Sequence, residues 1–82
     1  MTLNIVFNKK TNLYKIKSKY EIGEEHTLLL DLILKYYNDI KKYNVMIKQG
    51  KICSYNLDNI KKAKQFIEGI IVMKKFQGEI KW

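Results

Sequence analysis

The lysine residues form the one pattern in this sequence whose type and spacing could support recognition chemistry. All sixteen basic residues of the 82-residue chain are lysine, and eight acidic residues leave a net charge of +8. A positive surface that includes an aromatic side chain can follow a phosphate backbone and stack a base. Lysines alternate along one segment and flank a turn in another. The candidate nucleic-acid-binding residues are Lys15, Lys17, Lys19, Lys48, Lys51 and Tyr55.

Genome composition and solubility can also account for the lysine excess. Lys, Ile, Asn and Tyr are abundant and have A+T-rich codons, so part of the charge can reflect genome composition. An exposed sheet face must also carry polar residues, and lysine protects sheet edges from aggregation. Arginine, which is better suited to bidentate recognition of phosphates and bases, is absent. We therefore expect binding to nucleic acid to be largely independent of base sequence.

Residues that serve catalysis or metal binding are few and scattered. His26 is the only histidine and Cys53 the only cysteine, and no further ligand stands at the spacing of a zinc site. The four glycines form no phosphate-binding loop, and no two acids share a predicted face as a general acid and base would. We predict a non-catalytic protein with no cofactor and no metal site.

Length and composition predict one domain spanning residues 1–82 with a small core. A single cysteine excludes an internal disulfide and is typical of a reducing compartment. The first residues lack the charged start and apolar run of a signal peptide, and no stretch approaches the roughly 18 apolar residues of a membrane span. We expect a cytoplasmic protein with no membrane partner.

The chain is organised around a predicted amphipathic helix over residues 24–43. Acidic residues at its start and Lys41 and Lys42 in its last turn complement the helix dipole. Asn44 tolerates the left-handed conformation that ends many helices. Large apolar residues recur at helical spacing and form the predicted buried face. These are Leu29, Leu32, Ile33, Tyr36, Ile40 and Tyr43.

Two hairpins are predicted around this helix. Residues 3–7 and 13–20 alternate apolar and polar side chains, which is typical of strands, although no glycine sets the turn between them. Gln49-Gly50 suits a type I′ turn that pairs Ile47 with Ile52 and Met46 with Cys53. Val45, Ile47 and Ile52 should then face the helices. Met46, Lys48, Lys51, Cys53 and Tyr55 should face away.

A second helix is predicted to follow Asn56, which is a good N-cap residue, and to end before Gly78. The alternative is that Gly69 stops the helix and that residues 70–76 form a strand, because Ile70, Ile71 and Val72 also favour sheet. The resulting order is β-β-α-β-β-α, with residues 79–82 as an optional last strand. This order predicts the α+β class, with a single antiparallel sheet and two helices on one face.

Several apolar residues lie off the buried faces of the two helices. They are either covered within one chain or they form a contact surface for a protein partner or a second copy. A twofold homodimer would bury such residues against their own copies. The candidate protein-interface residues are Leu30, Leu34, Tyr37, Val72 and Phe76.

Two functions follow from these patterns. The first is a small basic binding protein that engages nucleic acid, or a nucleic-acid-handling protein complex, through the lysine-rich sheet face. The alternative is a protein-binding inhibitor or adaptor, of the compact kind that phages and mobile elements encode, acting on a host protein through the apolar helix flank.

Overall fold

The computed structural model describes residues 3–18 and 24–78, with no side-chain description for residues 24–26. Four strands form one antiparallel sheet in the order β1-β2-β4-β3, which confirms the predicted α+β class. The optional strand at residues 79–82 lies outside the described residues. The elements are β1 (Leu3–Asn8), β2 (Leu13–Ser18), α1 (Glu24–Lys35), α2 (Tyr37–Lys41), β3 (Met46–Lys48), β4 (Lys51–Ser54) and α3 (Leu57–Phe76).

One hydrophobic cluster joins the helices to a single face of the sheet. Ile16 and Ile52 contribute from the two central strands, and Val45, which was predicted to face the helices, is also buried there. Both predicted helical regions therefore cover the same face. The buried cluster consists of Leu3, Ile16, Leu29, Leu32, Ile33, Ile40, Val45, Ile52, Ile60, Ala63, Ile67 and Ile71.

The first hairpin pairs β1 with β2 over six residue pairs, from Leu3 opposite Ser18 to Asn8 opposite Leu13. Its turn is closed by the Asn12 backbone N–H, which donates to the Asn8 carbonyl oxygen at 2.8 Å. Asn12 has a φ of 58°, a conformation that asparagine adopts more readily than most residues. The sequence pattern left this register open, and asparagine at both ends of the turn sets it.

The second hairpin has the predicted type I′ turn and register. Gln49 and Gly50 both have positive φ, at 53° and 74°. Met46 lies opposite Cys53, and Ile47 lies opposite Ile52. This turn aligns the strands so that Ile52 is fully buried and Lys48 is exposed.

The predicted continuous helix over residues 24–43 is interrupted at Tyr36, and on this point the prediction was wrong. Tyr36 has φ −105° and ψ 24°, outside the helical range, and α2 ends at Lys41. The Tyr36 ring packs edge-on against Phe66 of α3, with ring centroids 6.2 Å apart. A contact with a distant helix is not visible in local periodicity, so the sequence pattern could not indicate the break. Asn44 has the predicted left-handed conformation, at φ 60°.

The last helix runs without interruption from Leu57 to Phe76, so the alternative of a strand at residues 70–76 was wrong. The Asn56 side-chain oxygen accepts from the Asn59 backbone N–H at 3.1 Å, which is the predicted N-cap. Gly78, beyond the end of the helix, has a φ of 77°. No helix in the described part of the chain is long and apolar enough to cross a membrane.

Two Gly→Ala substitutions should change stability in opposite directions. Gly50→Ala should lower the free energy of unfolding by about 1–2 kcal/mol, because alanine is strained at positive φ. Its Cβ would also lie 2.6 Å from Cδ2 of Leu30. Gly69→Ala should raise the free energy of unfolding by about 0.5–1 kcal/mol, because Gly69 is inside a helix and nothing lies within 4 Å of an added Cβ.

Urea unfolding at low protein concentration measures both effects, and each variant is the control for the other. Equal changes of the same sign would contradict the turn geometry assigned to Gly50.

Candidate nucleic-acid interface

The strand register places a row of four residues across the sheet on the face opposite the hydrophobic cluster. Val6 lies opposite Lys15, Lys15 opposite Cys53, and Cys53 opposite Met46. Because side chains alternate along a strand and opposite residues share a face, these four side chains project to the same side. Ile16 and Ile52, their neighbours along the chain, point into the cluster. We call the side that carries Lys15 the lysine face.

A second row on the lysine face contains three of the predicted lysines. Lys17 lies opposite Asn4, and Lys48 lies opposite Lys51. The pairing of β2 with β4 ends at Lys15 opposite Cys53, and Lys17 and Lys51, two residues further along each strand, line the same depression. Lys17, Lys51 and Lys48 thus lie on three neighbouring strands. Lys15 lies beside them in the first row, so the tertiary structure gathers four lysines from two hairpins into one patch.

Like charges directly opposite each other in a sheet are destabilising. Lys48 and Lys51 form such a pair at the second hairpin, with Lys17 adjoining. This pair concentrates positive charge at the second hairpin.

The four lysines differ in exposure. Lys48 is exposed, whereas Lys15, Lys17 and Lys51 are half-buried. Long lysine side chains commonly lay their apolar stems along a surface while the charged end reaches water. The half-buried lysines can therefore pack their apolar stems on the sheet while their ammonium groups reach water.

Cys53 was predicted to face away from the helices as a small strand residue, and its register agrees. Its side chain is nevertheless fully buried, at 0% exposure, although it is not part of the main cluster. Its cross-strand neighbours are the half-buried Lys15 and Met46. We attribute the burial of Cys53 to these two longer side chains, which cover it on both sides.

Of the two remaining candidates for nucleic-acid binding, the structure describes Tyr55. Tyr55 follows β4 directly, and its side chain is 63% exposed, so its ring is accessible for stacking. Lys19 lies outside the described residues.

The predicted protein-interface residues differ in accessibility. Leu30 is half-buried and packs over Gly50 of the second hairpin, so part of its surface is covered within the chain. The others are exposed: Leu34 at 72%, Tyr37 at 39%, Val72 at 61% and Phe76 at 93%. Met73, which is 61% exposed, was not among the residues predicted from the sequence. Its position at helical spacing from Gly69 and Phe76 was the available signal.

The described residues form depressions on the surface, two of which are distinguished by their lining residues. One lies between α1, the end of β2 and the second hairpin, and is lined by Ile16, Lys17, Ser18, Leu29, Leu30, Gly50 and Lys51. The other has a volume of about 270 Å³ and is lined by Lys35, Tyr36, Ile70, Met73, Lys74 and Gln77. Among the described residues, no carboxylate, histidine or thiol lines either depression. The described part of the chain also contains no group of three or more potential metal ligands.

Comparison with protein-family models, with curated protein sequences and with solved structures gives no match.

Proposed function

We propose that this protein is a non-catalytic binding protein that engages nucleic acid, or a nucleic-acid-handling complex, through the lysine face. The observation that carries the proposal is the row formed by Lys17, Lys51 and Lys48, in which two lysines are directly opposed. Lys15 extends the positive surface into the neighbouring row. The spread over three strands suits a phosphate backbone that runs across the sheet.

The chemistry of lysine limits what this surface recognises. An ammonium group acts as a point charge and lacks the planar fork with which arginine reads guanine or clamps a phosphate. The surface should therefore hold the backbone without distinguishing base sequences. The exposed Tyr55 adds a ring on which an unpaired base can stack.

A second candidate function is that of a protein-binding adaptor or inhibitor. It is supported by the exposed apolar side chains of Leu34 and Tyr37 on the first helical region. We rank it second because these residues carry no charge pattern that defines a partner. A stoichiometric protein partner that remains bound after nuclease treatment and in high salt would favour it over nucleic-acid binding.

Titration of labelled single- and double-stranded DNA and RNA at several salt concentrations tests the first proposal. For four phosphate contacts, the logarithm of the association constant should fall with log salt with a slope of about −3 for single strands and about −3.6 for duplex DNA. Oligonucleotides of unrelated sequence should bind with similar affinity. Absence of binding at micromolar protein in low salt would end the proposal.

A further inference from the structure

The last two turns of α3 expose an apolar stripe on the side away from the hydrophobic cluster. Gly69, Val72, Met73 and Phe76 follow the spacing i, i+3, i+4, i+7, which places them on one helical face. Val72 and Met73 are each 61% exposed and Phe76 is 93% exposed. The buried residues Ile60, Ala63, Ile67 and Ile71 occupy the opposite side of the helix. We call the four exposed residues the outer stripe of α3.

Gly69 is the unusual member of this stripe. It is exposed in the interior of a 20-residue helix, where glycine is less stable than alanine. Nothing in the described structure lies within 4 Å of a Cβ placed at this position, so contacts within the described chain do not require glycine. Because glycine has no Cβ, a large side chain of another molecule can approach the helix backbone closely at this position.

We propose that the outer stripe of α3 binds the outer stripe of a second copy of this chain, with the two helices antiparallel. A twofold axis between Val72 and Met73 places position 69 of each copy opposite position 76 of the other. Phe76 of one copy then fills the open space above Gly69 of its partner. At the centre, Val72 of each copy packs against Met73 of the other copy. The large Phe76 thus faces the small Gly69, and two residues of middle size face each other.

The charges beside the stripe fit the same arrangement. Glu68 and Lys75 lie on one flank of the stripe and, like Gly69 and Phe76, are seven residues apart. In the antiparallel pair this flank meets its own copy, and Glu68 comes within two residues, about 3 Å along the axis, of the position facing Lys75 of the second copy. Each interface therefore gains two opposite-charge pairs. Glu68 is already paired with Lys64 of its own helix at 3.0 Å, so each pair across the interface adds only a small contribution.

The size of the stripe predicts a weak dimer. A phenylalanine can bury roughly 150–250 Å², and two Phe76 rings with the central residues remain at or below the roughly 1,200 Å² of a standard interface. Lys61 and Lys62 lie ten or more residues from the axis, roughly 15 Å away. That distance exceeds the screening length of about 8 Å at physiological salt, so their repulsion adds little. We expect a dissociation constant in the micromolar range.

The dimer has a consequence that rests on the proposed function. The outer stripe of α3 and the lysine face are on opposite sides of the protein, because α3 packs on the other face of the sheet. Two copies joined through α3 would direct their lysine faces away from each other. The dimer would then bridge two nucleic-acid segments instead of placing both lysine faces on the same segment.

Sedimentation equilibrium of the full chain, without nucleic acid, tests the dimer independently of the proposed function. The wild type should associate between about 1 and 100 µM. Phe76→Ser should weaken association at least about tenfold, whereas Leu34→Ser should change it by less than about twofold. Leu34 is the matched control because it is also strongly exposed, at 72%, but lies on α1.

Exchange of the two complementary residues gives a sharper test. Gly69→Phe should weaken association, because the new ring at position 69 of one copy would face the Phe76 ring of the other copy. Gly69→Phe combined with Phe76→Gly should restore association, because one ring again faces one glycine. Restoration supports the antiparallel pairing. A strict monomer at about 100 µM overturns the proposal in favour of a different protein as the occupant. If Phe76→Ser and Leu34→Ser weaken association equally, or if Phe76→Ser does not weaken it, the assignment of the interface to the outer stripe of α3 is overturned.

Discussion

Replacing Lys15, Lys17, Lys48 and Lys51 with glutamine should reduce affinity for nucleic acid by about a hundredfold to a thousandfold at roughly 50 mM salt. Glutamine keeps much of the side-chain stem and removes the charge. Because four phosphate contacts are lost, the slope of log affinity against log salt should become less steep by about 3 for single strands. Electrophoretic mobility or fluorescence anisotropy measurements across several salt concentrations give both quantities.

A charge-matched variant separates the lysine face from the net charge. Replacing Lys35, Lys42, Lys61 and Lys62 with glutamine also removes four of the eight net positive charges, but from exposed positions in the helices or directly after them. This variant should lose less than about tenfold in affinity, because charges distant from the bound backbone are screened. Circular dichroism of both variants checks that they remain folded. Equal losses would show that binding depends on total charge and that the lysine face is not a site.

Ile52→Ala should lower the free energy of unfolding by about 2–5 kcal/mol. Ile52 is 0% exposed and lies in the central strand β4. It belongs to the hydrophobic cluster through which α1, α2 and α3 pack against the sheet. Truncation leaves a cavity that these elements cannot close without moving the sheet. A domain of this length has a total stability of only about 4–12 kcal/mol, so the loss is a large fraction of it.

Val6→Ala is the control for this substitution. Val6 lies on the lysine face and is 40% exposed, so its truncation should cost about 0.5 kcal/mol or less. Urea unfolding at low protein concentration prevents self-association from contributing to either value. Similar costs at the two positions would contradict the assignment of the core to the face that carries Ile52.

Elements that depend on neighbouring residues could be predicted from the sequence. Gln49-Gly50 indicated the second hairpin and its register, because few residue pairs adopt positive φ at both turn positions. Asn56 indicated the start of α3, and Gly78 indicated its end. The period of apolar residues indicated the buried sides of the helices, and the order of elements indicated the fold class. Each of these signals acts over a few residues.

The way in which distant segments meet became clear only in the folded chain. The pairing of β2 with β4 brings Lys15 and Lys17 of one hairpin beside Lys51 and Lys48 of the other, and no local pattern specifies that pairing. Contact with Phe66 accompanies the break at Tyr36, and Cys53 is fully buried although its register places it on the face away from the helices. These outcomes depend on contacts between residues far apart in the chain, whose energies are set only when the sheet and helices pack together.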